Sequence, residues 1–285
     1  MVGLLINLTF ESAMLGFFLP FTLILQIGLG FSVIKAALVG IPTAIGISVT
    51  MAVFSQKLIP KLGRYTMVLG TFLMAGGLIL LYELLNRQVL NISPWTFIPG
   101  LLLVGAGMAL IMAPMFSVAL ADVDAQHAGS ASGILSAVQQ LGGAIGTALL
   151  GLVFFSHLTT HATPSFNVVA PQIHQQLSEL NLPVSAQEHI VQTAKVCFVD
   201  RSKANDASGT PESCKQTENT KSLAPASTQR IGSIVQNGVK QANSNNFISA
   251  FKASIIFELC ILAAIIVLSF LLPRHIKISA EPEAL

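Results

Sequence analysis

Two glutamates stand inside otherwise apolar stretches of this chain, Glu11 near its start and Glu258 near its end. A carboxylate in mid-membrane costs about 2.5–3.5 kcal/mol on insertion scales, so one retained there has a partner, a cavity or a proton to carry. Around Glu11, the residues Asn7, Leu15, Phe18, Thr22 and Gln26 recur at steps of three or four, which gives them one helix face. Glu11 reads as a proton relay or pocket residue, as a structural hydrogen-bonding group, or as a side chain near the cytoplasmic surface if its helix begins later. Glu258 shares a face with Ser254 and Ser269, whereas Lys252, six residues away, lies on another. Functional and structural readings both stay open for it.

The densest polar pattern runs from Gly129 to Thr147. Gly129 and Gly133, and again Gly142 and Gly146, are four apart, the spacing that lets helix backbones approach closely. Ser132, Ser136, Gln140, Gly143 and Thr147 fall on one face, and an amide such as Gln139 or Gln140 in hydrocarbon needs a partner, a cavity or a substrate. Glu83 falls at the outer end of its apolar run and reaches water. Cys197 and Cys214 either pair in an oxidising compartment or stay as two loop thiols, and Cys260 reads as a small packed hydrophobe. His127 beside Asp122 and Asp124 imitates a metal site but lacks a second histidine, so no metal is expected. No Ser/His, Cys/His or His-Glu-x-x-His arrangement falls in an apolar run, so no enzyme machinery is visible.

The elements that must hold these residues follow from composition. The chain has 285 residues, 53% hydrophobic and 10% charged, against about a quarter charged in ordinary soluble proteins. That excludes a soluble enzyme, a nucleic-acid binder and a disordered chain, and a net charge of +2 argues for no polyanionic partner. Six apolar segments are expected to cross the bilayer as helices: Val2–Ile27, Ala36–Ser55, Tyr65–Leu85, Trp95–Leu120, Gly129–Phe155 and Phe247–Leu272. Pro20, Pro42, Pro99 and Pro114 sit in or near them, as membrane helices tolerate.

Lys57, Lys61, Arg64, Arg274 and Lys277 flank one side of these spans in short loops, against Lys35 and Arg87 on the other. The positive-inside rule then places the Lys57–Arg64 loop and the C-terminus in the cytoplasm. By alternation the Ser156–Asn246 insert lies outside, carrying seven of the 15 basic and six of the 13 acidic residues. Within it, Pro171–Leu180 and Ser185–Phe198 have helical spacing, and the Ser/Thr/Asn/Lys-rich stretch Arg201–Arg230 reads as a flexible tether. Apolar sequence begins at Val2 with no positive n-region, so the chain reads as a piece of something longer.

Several runs resemble the fourteen-helix drug:proton antiporters of the major facilitator superfamily. Gly16–Leu38 (GFFLPFTLILQIGLGFSVIKAAL), followed by Ile41-Pro42, is similar to the start of that family's C-terminal half. Ala128–Gly146 (AGSASGILSAVQQLGGAIG) is similar to its penultimate helix, and Phe247–Phe251 with Leu271–Arg274 to its last helix and exit. The loop Leu58–Tyr65, with Lys61, Gly63 and Arg64, is similar to the superfamily's basic cytoplasmic loop, although Pro60 stands where an acidic residue is often found.

The resemblance implies an all-α integral membrane fold, six transmembrane helices forming one half of a major facilitator transporter and corresponding to helices nine to fourteen. The expected layout is 1–155 with five spans, 156–246 as a partly helical extracytoplasmic insert, 247–272 as the sixth span and 273–285 as a cytoplasmic tail. In such transporters substrate binds near mid-membrane between two halves that rock against each other. The expected function is proton-coupled efflux of amphipathic small molecules across the bacterial inner (cytoplasmic) membrane. Glu11, Gln26, Gln139, Gln140 and Glu258 would line the substrate or proton pathway. The partners implied are the lipid bilayer, an N-terminal half supplied elsewhere, the substrate and protons, with no cofactor and no nucleic acid. The competing expectation is a truncated, non-transporting membrane protein whose outer insert binds a partner.

Overall fold

The computed structural model of the chain describes residues 2–55, 61–87, 92–120, 125–203, 211–215 and 225–271, and every regular element among them is helical. These are α1 (Val2–Leu23), α2 (Val33–Thr50), α3 (Tyr65–Arg87), α4 (Ile98–Leu120), α5 (Ala128–Thr160), α6 (Ala162–Ser178), α7 (Val184–Lys203), α8 (Glu212–Lys215) and α9 (Pro225–Phe270). Among the described residues, six helical stretches are long and apolar enough to cross a membrane: Val2–Gly28, Val33–Phe54, Tyr65–Arg87, Pro94–Met115, Gly129–Thr160 and Gln229–Phe270. Each of the six expected apolar segments overlaps one of these stretches, although the fifth and sixth stretches are longer than expected. Lys57, Pro60, Asp122, Asp124 and the tail 273–285, with Arg274 and Lys277, lie outside the described residues.

The chain divides into two compact units, the first built from Met1–Gln26, Phe31–Val153 and Lys252–Leu285. Its helices meet through glycine rather than through large side chains. A Cβ on Gly70 would lie 2.7 Å from the carbonyl oxygen of Gly107, and one on Gly77 would lie 2.7 Å from that of Gly100, so α3 and α4 run backbone to backbone. On α2, Gly46 meets the carbonyl of Leu102 in the same way. Helices in lipid gain no hydrophobic drive from one another, so close van der Waals approach at small residues is what holds them. Aromatic packing adds a second contact set: Phe17 stacks on Phe21 at 5.3 Å, and Phe21 meets Phe97 edge-on at 5.9 Å.

Pro20 cannot donate to its helix ladder, and α1 passes into a π-turn over Ile24–Gly28 before Gly30 reverses the chain with φ +66°. Ser32 then caps α2, its hydroxyl accepting from the backbone N–H of Lys35. Large apolar side chains cover the outside of the unit, among them Val33, Ile34, Phe72 and Leu152, a surface that hydrocarbon wets and water does not. Trp95 is 77% exposed at the head of the turn that begins α4, where an indole suits a bilayer interface.

The second unit comprises Ile27–Gly30 and Phe154–Phe251. Phe166, Val169, Ile173 and Leu177 on α6 recur at three- and four-residue steps and bury against Ile190, Val191, Ala194 and Phe198 of α7, with Ile231 and Ala242 of α9 closing the core. Asn181 takes the left-handed conformation (φ 55°) in the turn between α6 and α7, which an asparagine accommodates. Asn246 is fully enclosed and satisfied: its amide donates to the Leu158 carbonyl at 2.9 Å, and Ser165 Oγ donates to its oxygen at 3.4 Å. Cys197 and Cys214 are joined as a disulfide, Cα atoms 4.7 Å apart.

Two expectations need correction. The stretch 201–230 is not wholly a tether: α7 continues to Lys203, α8 is fastened by the disulfide, and α9 already begins at Pro225, while 204–210 and 216–224 lie outside the described residues. Nor does the last helix begin at Phe247. Its 46 residues rise about 69 Å, far more than the roughly 30 Å of hydrocarbon, because Ile231, Gly238 and Ala242 extend the core-facing period upstream.

A disulfide closing a loop with a sequence separation of 17 removes unfolded-chain entropy worth about 3 kcal/mol. Cys197→Ser in the full chain is therefore expected to destabilise the second unit by that order. Denaturant-dependent hydrogen exchange of α6 and α7 measures it, and dithiothreitol should reproduce the loss in the unsubstituted chain.

Candidate functional site

Glu11 and Ser12 lie where α1 meets α5. Gly142 and Gly146 face α1 one turn apart. A Cβ on Gly142 would lie 2.6 Å from the Leu8 carbonyl oxygen and 3.1 Å from Glu11 Cβ, and one on Gly146 would overlap the carbonyl of Ser12. Ser12 Oγ lies 2.8 Å from both the Gly142 and the Leu8 carbonyl oxygens, sharing its one proton across the seam. Glu11 stands beside this contact, 7% exposed. Asn7, one turn earlier, is fully buried, and neither atom of its amide has a hydrogen-bond partner.

Glu258 is enclosed in the α9 portion of the same unit, 1% exposed, and neither carboxylate oxygen has a hydrogen-bond partner. A buried polar group without a partner is costly in an apolar medium, so its retention calls for a use.

The remaining sequence candidates disperse. Gln139 is half-buried, three residues from Gly142 on the seam side of α5, while Gln140 is exposed. Gln26 lies half-buried in the π-turn, about 22 Å along the helix from Glu11 at 1.5 Å per residue. The stripe from Asn7 to Gln26 is therefore unevenly buried in this chain. Asn7 and Glu11 are buried, whereas Leu15 and Thr22 are exposed, because α1 turns Ile6, Phe10, Ala13, Phe17 and Phe21 inward. Gly129 and Gly133 pack against nothing among the described residues: a Cβ at either would meet nothing within 4 Å. They lie with the exposed Ser132, Ser136 and Gln140, apart from the exposed apolar residues Ile134, Leu141, Ile145 and Leu152.

The basic loop has a contact that the sequence did not indicate. Gly63 takes φ 53°, a turn that suits glycine, and leads Arg64 to donate from Nη1 to the Phe270 carbonyl at 3.0 Å. The guanidinium also lies over the Tyr65 and Phe270 rings, 5.3 and 5.6 Å from their centroids, so it both caps the last helix and packs on it. Lys61 is exposed. At the other end of the same helix pair, Lys252 Nζ donates to Asn86 Oδ1 and sits 4.9 Å from the Tyr82 ring centroid. The signal for both contacts was a lone cation beside an aromatic at a span terminus. Among the described residues no group of three or more His, Cys, Asp and Glu side chains could hold a metal ion, and His127 is exposed.

Six apolar helices seamed by glycine, with acidic side chains enclosed among them, define an all-α multi-pass membrane protein. Residues 1–147 match the Major Facilitator Superfamily, and the chain belongs to that superfamily. Among curated proteins it is similar to the probable actinorhodin transporter of Streptomyces coelicolor, 32% identical over 271 residues that make up 95% of this chain and 46% of the relative. The puromycin resistance protein pur8 of Streptomyces alboniger is 27% identical over 203 residues, 70% of this chain and 40% of the relative. The quinolone resistance protein NorB of Staphylococcus aureus is 30% identical over 130 residues, 45% of this chain and 27% of the relative. The chain thus spans less than half the length of these relatives.

Proposed function

We propose that this chain forms the C-terminal six-helix half of a bacterial drug-efflux permease, exporting an amphipathic small molecule in exchange for protons. The relatives' printed names, a probable actinorhodin transporter and puromycin and quinolone resistance proteins, support export as the activity. The observation that carries proton coupling is Glu258, a carboxylate enclosed in a membrane helix with both oxygens unpaired. Glu11 beside the α1–α5 seam is the second proton-carrying group, with Gln26, Gln139 and Gln140 lining the substrate path. An N-terminal half completes the cleft on the side where α5 exposes Ser132, Ser136 and Gln140.

The topology proposed is a C-terminus in the cytoplasm of the inner membrane and a second unit outside. Basic residues beside the short loops favour it, and so does the Cys197–Cys214 disulfide, since such bonds persist in oxidising compartments.

The test is uptake of a fluorescent cationic drug into inverted membrane vesicles that contain both halves, energised by a proton gradient. Accumulation should collapse with a protonophore, and Glu11→Gln should lower it about five- to tenfold, roughly 1.0–1.4 kcal/mol of lost coupling. Glu11→Gln transport that stays equal to the unsubstituted protein removes Glu11 from the proton path. Accumulation that survives the protonophore removes proton coupling altogether.

A further inference from the structure

His157 and His161 belong to the second unit, four residues apart where α5 gives way to α6, and nothing above uses them. The turn between them is still helical, with the backbone N–H of His161 donating to the His157 carbonyl at 2.9 Å. Their rings stack with centroids 3.7 Å apart and planes 7° from parallel, and both are partly exposed.

Thr160 Oγ1 lies within hydrogen-bonding distance of the Ser156 carbonyl (3.0 Å), the His157 carbonyl (3.2 Å) and His161 Nδ1 (3.1 Å). With the hydroxyl proton on a carbonyl, its oxygen accepts from His161 Nδ1–H, and the Nε2 lone pair is then open, the state in which an imidazole ligates a metal. His157 Nδ1 is buried without a partner. A proton on that atom would likewise leave the His157 Nε2 free.

Two histidines at i and i+4 on a helix is the spacing by which zinc peptidase helices bring a pair of imidazoles to one ion. Here the residues between them, Leu158, Thr159 and Thr160, supply no general base, so the spacing points to binding and not to hydrolysis. We propose that His157 and His161 chelate one divalent transition-metal ion of the Zn2+ or Cu2+ class through their Nε2 atoms, with water filling the remaining positions. The stacked pair is the metal-free arrangement. Rotation about the side-chain torsions would bring both Nε2 atoms to about 2.0–2.1 Å from one ion.

Titration of the tag-free full chain in detergent with Zn2+, followed by calorimetry, tests this. One saturable site with a Kd on the order of 10 µM is expected. His157→Ala and His161→Gln should each weaken it at least tenfold, while His174→Ala and His189→Ala leave it unchanged. Helicity and an intact Cys197–Cys214 disulfide report whether a variant has folded. If one has not, Cu2+ electron paramagnetic resonance on the unsubstituted chain still decides, because two coupled imidazole nitrogens are expected there and should persist in His174→Ala and His189→Ala. No saturable Zn2+ binding below 1 mM, binding unaltered in both site variants, or a Cu2+ signal lost with His174 or His189 would overturn the assignment.

Discussion

Glu258→Gln is expected to abolish proton-driven accumulation of drug, by at least about 30-fold (roughly 2 kcal/mol), while downhill drug exchange across the same membrane continues. The side chain is 1% exposed and both oxygens lack partners, so the carboxyl is bound by no ion pair or hydrogen bond that would fix it in one protonation state. Glutamine matches its volume and stays neutral, so it mimics a permanently protonated residue without opening a cavity. Thermal stability in detergent should therefore not fall. Fluorescence-detected uptake with and without a proton gradient separates the outcomes. Loss of uphill transport alone identifies a proton carrier, equal activity in both assays removes that role, and a lower midpoint makes Glu258 structural. Leucine at this position gives a second neutral variant, free of any amide hydrogen bond.

Gly146→Ala should be the most damaging single-methyl change in the membrane unit, costing about 2–4 kcal/mol. The added carbon would collide with the backbone carbonyl of Ser12, which no rotamer change can relieve. Separating α1 from α5 would also break the reach of Ser12 to the Gly142 carbonyl. Gly133→Ala makes the opposite expectation on the same helix. A Cβ there meets nothing within 4 Å, so only helix propensity acts, and the chain should gain up to about 1 kcal/mol. Thermal unfolding of the purified chain in detergent compares the two. Equal midpoints would mean that the α1–α5 seam is not as tight as described. If Gly133→Ala lowers drug transport in the assembled transporter while stabilising this chain, the open face of α5 is where the other half packs.

The six apolar helices were legible because twenty apolar residues in a row leave few alternatives, and the glycine pairs told in advance that backbones would touch. They did not say which pair would. Gly142 and Gly146 meet α1 while Gly129 and Gly133 meet nothing in this chain, and the identical spacing carries no information about the neighbour. The stripe through Asn7, Glu11 and Gln26 is unevenly buried for a related reason. Three- and four-residue steps define a face over a turn or two, but over the twenty residues from Asn7 to Gln26 the polar stripe drifts off the core side and α1 enters a π-turn. In the second unit, Ser, Thr and Asn masked a core period carried by few residues, such as Ile231 and Ala242 on α9. Arg64 and Phe270 are 206 positions apart, a separation at which local pattern is silent.

The two cation contacts on α9 have a mechanical consequence. Lys252 is tied to Tyr82 and Asn86 at one end, and Phe270 to Arg64 at the other. The anchors are separated by about 27 Å of helix, close to the thickness of the oily layer. A rod moored to the same neighbour at both ends cannot slide like a piston. Any stroke it makes is a swivel or a tilt, and Glu258 keeps its depth, about 9 Å from the Lys252 mooring.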